Sequence, residues 1–221
     1  MRGINFNAGR LDFLGEAYSQ LKNQFMTTFK NIAFVLLLSA SIGPFVSSCN
    51  NKPKEEDTKE TAEDLNKENM KGSDMDMRRD ADFLVEVAEI NLKEIELGKL
   101  AQTKGITQDV KALGKMMESE HTKNQEELKT LAGQKNITVP TSLTEKGKEA
   151  YEMLSKKDGK DFDKAYAEKM VEGHEKAIEK FEKEANDASD ADIKNWANNT
   201  LPALRTHLEH SKACKDKTDK L

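Results

Sequence analysis

Cysteine, proline and aromatic side chains are all scarce in this sequence. Its 221 residues include two Cys, four Pro and 6% aromatics, against 34% charged residues. Two thiols, at positions 49 and 214, make neither a disulfide framework nor a two-Cys metal knuckle. Cys214 lies near a charged C-terminus in no recognisable nucleophile setting, so nucleophilic catalysis finds no support. No glycine-rich phosphate cradle occurs. Positive charge is also lacking: the formal net charge is −5. Residues 1–48 hold four basic and two acidic residues, so the remainder carries −7. Such a balance argues against nucleic acid or an anionic membrane surface as the main partner. No stretch alternates as a strand would, so the composition points to a polar, helix-rich chain.

The one long apolar stretch, Ile32 to Val46, follows Lys30 and is broken by Gly43 and Pro44. It falls short of the roughly 20 residues that a spanning helix needs. A basic start, an apolar middle and small residues at the end describe a secretory signal. The end, Val46-Ser47-Ser48-Cys49, resembles a bacterial lipobox, with Cys49 as the residue that takes lipid and becomes the mature N-terminus. Residues 1–48 are therefore expected to be a leader. MTTFKN, from Met26, is the more typical signal start, so residues 1–25 are expected not to be translated. The expected location is the bacterial cell envelope, anchored by lipid to the outer membrane and facing the periplasm or the surface. The acidic run Lys54-Glu55-Glu56-Asp57 resembles signals that send lipoproteins to the outer face.

Residues 49–79 read as the lipidated Cys and a charged tether. The segment lacks aromatic and β-branched aliphatic residues, so disorder is expected, with a reach of about 30 Å.

Residues 80–214 carry helical periodicity. Phe83, Val87, Ile90, Leu97 and Ala101 form a stripe in a helix expected over 80–104, and Glu94 falls in line with them. Thr107 reads as the cap of a second helix ending at Ala132, before Gly133. Its stripe is Val110, Leu113, Met117, His121, Asn124, Leu128 and Leu131. An extended connection with Pro140 and a short helix, 143–154, follow. A third long helix, 161–185, aligns Phe162, Tyr166, Met170, His174, Ala177 and Phe181. The last, 192–214, aligns Ile193, Ala197, Leu201, Leu204 and His207, with Ser189 or Asp190 as its cap. Residues 215–221 read as a charged tail. The expectation is all-α: four long helices and one short one in a bundle.

ELGKLA (96–101, after Glu94), MMESEH (116–121), FDKAYAEKMVEGHEKA (162–177) and LPALRTHLEH (201–210) resemble the domain-of-unknown-function family 4142. That family comprises outer-membrane or periplasmic proteins assigned to the ferritin-like superfamily. The resemblance implies a ferritin-like four-helix bundle with the short helix in its crossover. It places the family's recurrent positions on Glu94, His121, Asp163, His174 and His207.

Each long helix thus sends one polar residue into an apolar stripe. Glu94, His121, His174 and His207 are candidate ligands for a divalent transition metal, Zn, Fe or Cu. Glu118, Asp163 and Tyr166 are candidates to support them. The same residues also fit a polar seam, in which the histidines hydrogen-bond Glu94, Tyr166 or Asp163 without metal. A di-iron bundle needs two Glu-x-x-His motifs. Glu118 and His121 supply one, but Leu204 stands where the partner of His207 should be, which argues against ferroxidase or oxygenase chemistry. Two functions remain. The favoured one is a non-enzymatic, lipid-anchored module that binds a protein partner or senses stress; the alternative is a metal-binding or redox protein. Neither the protein partner nor the oligomeric state is written in the sequence.

Overall fold

Residues 57–221 are described by a computed structural model; the leader, Cys49 and the tether residues before Asp57 lie outside the described residues. Six helices and no strand occur among them: α1 (Thr58–Asn69), α2 (Met75–Lys104), α3 (Gln108–Gln134), α4 (Glu145–Ser155), α5 (Gly159–Asp187) and α6 (Ala191–Thr218). The fold is all-α, as the periodicity requires. Side-chain caps set several starts: Thr107 accepts from the Val110 amide, Thr144 from Gly147, and Asp190 from Asp192 and Ile193.

The topology follows from contacts at the two ends. At one end Asp163, near the start of α5, accepts from the Ile106 and Thr107 amides and the Thr107 hydroxyl, at 3.0, 2.9 and 2.7 Å. At the other, Asp80 on α2 accepts from the Ser189 and Asp190 amides of the α5–α6 turn, at 3.0 and 2.7 Å. Thus α3 and α5 run the same way, and the connection carrying α4 must return along the whole bundle. The α2–α3 and α5–α6 hairpins lie side by side, forming a four-helix bundle with one long crossover.

Two apolar clusters fill the interior. One includes Phe83, Leu84, Leu128, Phe181, Ile193 and Leu204. The other includes Leu97, Met117, Leu154, Phe162, Tyr166 and Met170. On α3 the order is Met117, His121, Leu128; on α5 it is Met170, His174, Ala177; on α6 it is Leu204, His207, Cys214. A polar layer therefore lies between two apolar ones.

The tether reading is corrected from Asp57 onward. Residues 58–69 form α1 and α2 begins at Met75, not Asp80. Polar composition hid this helix because α1 docks through few side chains. Ala62, Asn66 and Met70 are buried. The Asn66 amide brackets Thr138 of the crossover, donating to its carbonyl and accepting from its N–H, both at 2.8 Å. Lys59 pairs with Glu89 at 2.7 Å. The charged tail is shortened too, since α6 runs to Thr218, which is buried. At the end of α3 the helix passes through Gly133 to Gln134, and Asn136 takes the left-handed turn at φ 55°.

Removing residues before Asp80 should therefore destabilise. One buried Met and two hydrogen bonds to otherwise unpaired groups suggest a loss of about 3 kcal/mol. Thermal melts of the full chain and of a chain starting at Asp80 test this. Equal melting temperatures would return residues 58–79 to the role of a passive tether.

Candidate metal centre

Three of the four expected ligands meet. His121 on α3, His174 on α5 and His207 on α6 are buried, and each offers a ligand atom within 4.8 Å of the other two. Their ring centroids are 5.4 to 5.6 Å apart. The i, i+3/i+4 stripes explain the convergence, because each histidine continues the apolar face that packs its own helix inward.

Hydrogen bonds set which nitrogen each ring presents. His174 Nδ1 lies 2.8 Å from the Met170 carbonyl oxygen, which can only accept, so Nδ1 carries the proton. His121 Nδ1 lies 2.9 Å from Asn91 Oδ1. The Asn91 amide nitrogen donates to Asn124 and Gln125, which fixes its oxygen as the acceptor and again places the proton on Nδ1. The Nε2 lone pairs of His121 and His174 are left free, and neither atom has a partner within the protein. Nδ1 of His207 is likewise buried and unpartnered. An ordinary polar seam would have paired these atoms, since each buried orphan costs about 1–3 kcal/mol.

Two of the rings, those of His121 and His207, are also held neutral. Burial, then His174 and His207, then Lys93, pushes the His121 pKa well below its ordinary value. Burial, followed by His174 and His210, lowers that of His207 to about 4. Neutral imidazoles with aimed, unshared lone pairs are what a borderline divalent cation binds. The Nδ1–H bonds to a carbonyl and an amide oxygen are the outer contacts that typically orient metal-ligating histidines.

The other expected site residues have different places. Glu94 is buried in the same layer, but it does not join the three histidines. One of its oxygens is 3.6 Å from Lys93 Nζ, and the other has no partner. Tyr166 stacks on Phe162, its hydroxyl unpartnered, and burial, followed by Glu94, raises its pKa well above the ordinary value. Glu118 accepts from Gln102 at 2.6 Å, away from the histidines. Asp163 is spent on the α2–α3 turn. None of Glu94, Asp163 and Tyr166 bonds a histidine, so the seam partners expected from the sequence are corrected to Asn91 and the Met170 carbonyl. Asn91 was not foreseen. Its only sequence signal is a polar residue one turn before Glu94, beside Ile90, which fits the stripe about as well. His210 is exposed, as a rim residue should be.

Fold and site together describe an all-α bundle protein with a buried three-histidine cluster between two apolar layers. The chain belongs to the family described as a domain of unknown function (DUF4142), whose profile matches residues 56–214. No curated protein and no solved structure matches it.

Proposed function

We propose that this chain binds a divalent transition metal through His121, His174 and His207, and that it does so at the bacterial envelope, held by lipid on Cys49. The observation that carries the metal reading is the set of three converging imidazoles with unshared buried nitrogens. Three nitrogen donors without thiolate suit Zn, Cu or Fe. A tetrahedral ion with bonds of about 2.0–2.1 Å spaces its nitrogens about 3.3 Å apart, so the rings close slightly on binding. Glu94 lies in the same layer, with one oxygen 3.6 Å from Lys93 Nζ, and is not one of the ligands. The role is binding or storage of the ion, or its use as a Lewis acid; the residues for di-iron chemistry are absent at Leu204.

Elemental analysis of the chain, purified without an affinity tag, tests this directly. One equivalent of Zn, Cu or Fe is expected, removable by chelator with a fall in melting temperature. Substoichiometric metal and a chelator-insensitive melt would leave the anchored, metal-free binding module.

The envelope reading rests on the order of Lys30, the apolar run and Val46-Ser47-Ser48-Cys49. Among the described residues no helix is long and apolar enough to cross a membrane. Cys49→Ala should leave the precursor unprocessed or move the protein to the soluble fraction. The same membrane fractionation and the same mature mass would rule lipidation out.

A further inference from the structure

A cleft of roughly 300 Å³ leads from the surface to two of the three histidines. Its mouth includes Glu120, Lys123, Asn199 and Ala203, all exposed, and its lining extends to the buried His121 and His207. Val87, Phe181, Trp196 and Leu204 form an apolar wall. The wall is stiff: Phe181 packs on Phe83 and on Trp196, with centroids 5.1 and 5.5 Å apart. His174, the third histidine, is not part of that lining.

We propose that this cleft binds a small organic carboxylate with an apolar body the size of one ring, its carboxylate completing the coordination of the metal beside His121 and His207. The proposal rests on the metal reading above. Three protein ligands leave a tetrahedral ion one position to fill. Three neutral imidazoles leave its double positive charge uncancelled in a buried setting, and Glu94 stands outside the converging set. An anionic oxygen donor offsets that charge. The charges at the mouth, Lys123 against Glu120 and Glu127, are exposed and screened, so the buried ion decides the sign. The volume lies at the small end of ligand pockets and suits a single ring. Trp196, three helical turns before His207, adds a buried Nε1–H without a partner, a donor available to a substituent on the ring.

The full chain loaded with Co²⁺ gives two independent readouts: the visible absorption of the ion and the emission of Trp196, the only tryptophan. Benzoate is expected to shift both with one dissociation constant, at least tenfold tighter than acetate, which lacks the ring. Benzamide, similar in shape but uncharged, should not move the Co²⁺ spectrum. Ala203→Phe, which narrows the exposed mouth of the cleft one helical turn before His207 and replaces no ligand, should bind Co²⁺ normally and weaken benzoate at least tenfold. If Co²⁺ binds but benzoate moves neither signal, or if acetate or Ala203→Phe matches the benzoate result, the cleft proposal is overturned while the metal reading stands. If Co²⁺ does not bind, both fall.

Discussion

Zn²⁺ at a thousandfold excess over its dissociation constant should stabilise the folded chain by about 4 kcal/mol, and His121→Ala should remove that whole increment. For a protein of this size the gain corresponds to a melting temperature higher by roughly 10 °C. His121 is the informative site because its two nitrogens have separate roles. Nδ1 is held by Asn91, and Nε2 faces the other histidines without a partner. The substitution therefore has two effects. Without metal it strands Asn91 Oδ1 and opens a small cavity, for a loss of about 1–3 kcal/mol. With metal it also forfeits the binding increment. His207→Ala should lose the increment as well, but with less damage to the metal-free form, because its Nδ1 holds no partner to strand. Melts of the two variants and the unmutated chain, with Zn²⁺ and with chelator, separate the two effects. Equal losses in both conditions would mean that the histidines are only structural.

The same cluster makes a statement about pH. An ordinary imidazole titrates near 6.5, and from the sequence alone metal affinity is expected to fall there. Burial moves the threshold, since His207 is lowered to about 4 and His121 well below its ordinary value. Affinity should therefore persist to about pH 5 and fail in more acid solution. The metal-free protein behaves differently. Below about 6.5 the unfolded chain takes up protons at these rings and the folded chain does not. Their contribution to stability is thus complete above about 6.5 and declines as pH falls toward about 4.

Much of this site was legible because helical periodicity carries one kind of information well. A residue that continues an apolar stripe faces the interior, and His121, His174 and His207 all do so. Periodicity says less about which inward residues stand opposite one another. Glu94 and Asp163 both face inward, yet Glu94 misses the cluster and Asp163 serves a turn at one end. Neither outcome is encoded in spacing; both depend on how far each helix slides along its neighbours. Asn91 was hidden for a related reason. It adjoins Ile90, either can continue the stripe, and the structure buries Asn91 while leaving Ile90 partly exposed. Helix α1 was illegible because composition measures apolar content, whereas Asn66 holds the helix by paired bonds to the Thr138 backbone.

The sliding of α2 on α3 is set by two glycines, which leads to the other large effect. Gly114→Ala should destabilise the protein by about 2–3 kcal/mol, although Ala is the better helix former by up to about 1 kcal/mol. A Cβ at Gly114 would stand 2.7 Å from the Gly98 carbonyl oxygen and 2.8 Å from the Ala101 Cβ. A Cβ at Gly98 would meet the Gly114 carbonyl oxygen at 2.6 Å and the Glu118 amide nitrogen at 2.9 Å. Most of these are backbone atoms, so rotamer changes cannot relieve the contacts and the helices must part. Gly133→Ala is the matched control: it lies in α3 with nothing within 4 Å, so only the propensity gain should appear. Gly98 and Gly114 each lie two helical turns from the pair they position, Asn91 and His121. Parting the helices at that crossing shifts His121 against His174 and His207, so Gly114→Ala should also weaken metal binding, by at least tenfold, while Gly133→Ala leaves it unchanged. Denaturant melts and Zn²⁺ titrations of the two variants measure both effects. A Gly114→Ala protein as stable and as tightly metal-binding as Gly133→Ala would show that the close α2–α3 contact neither limits stability nor sets the register of the histidines.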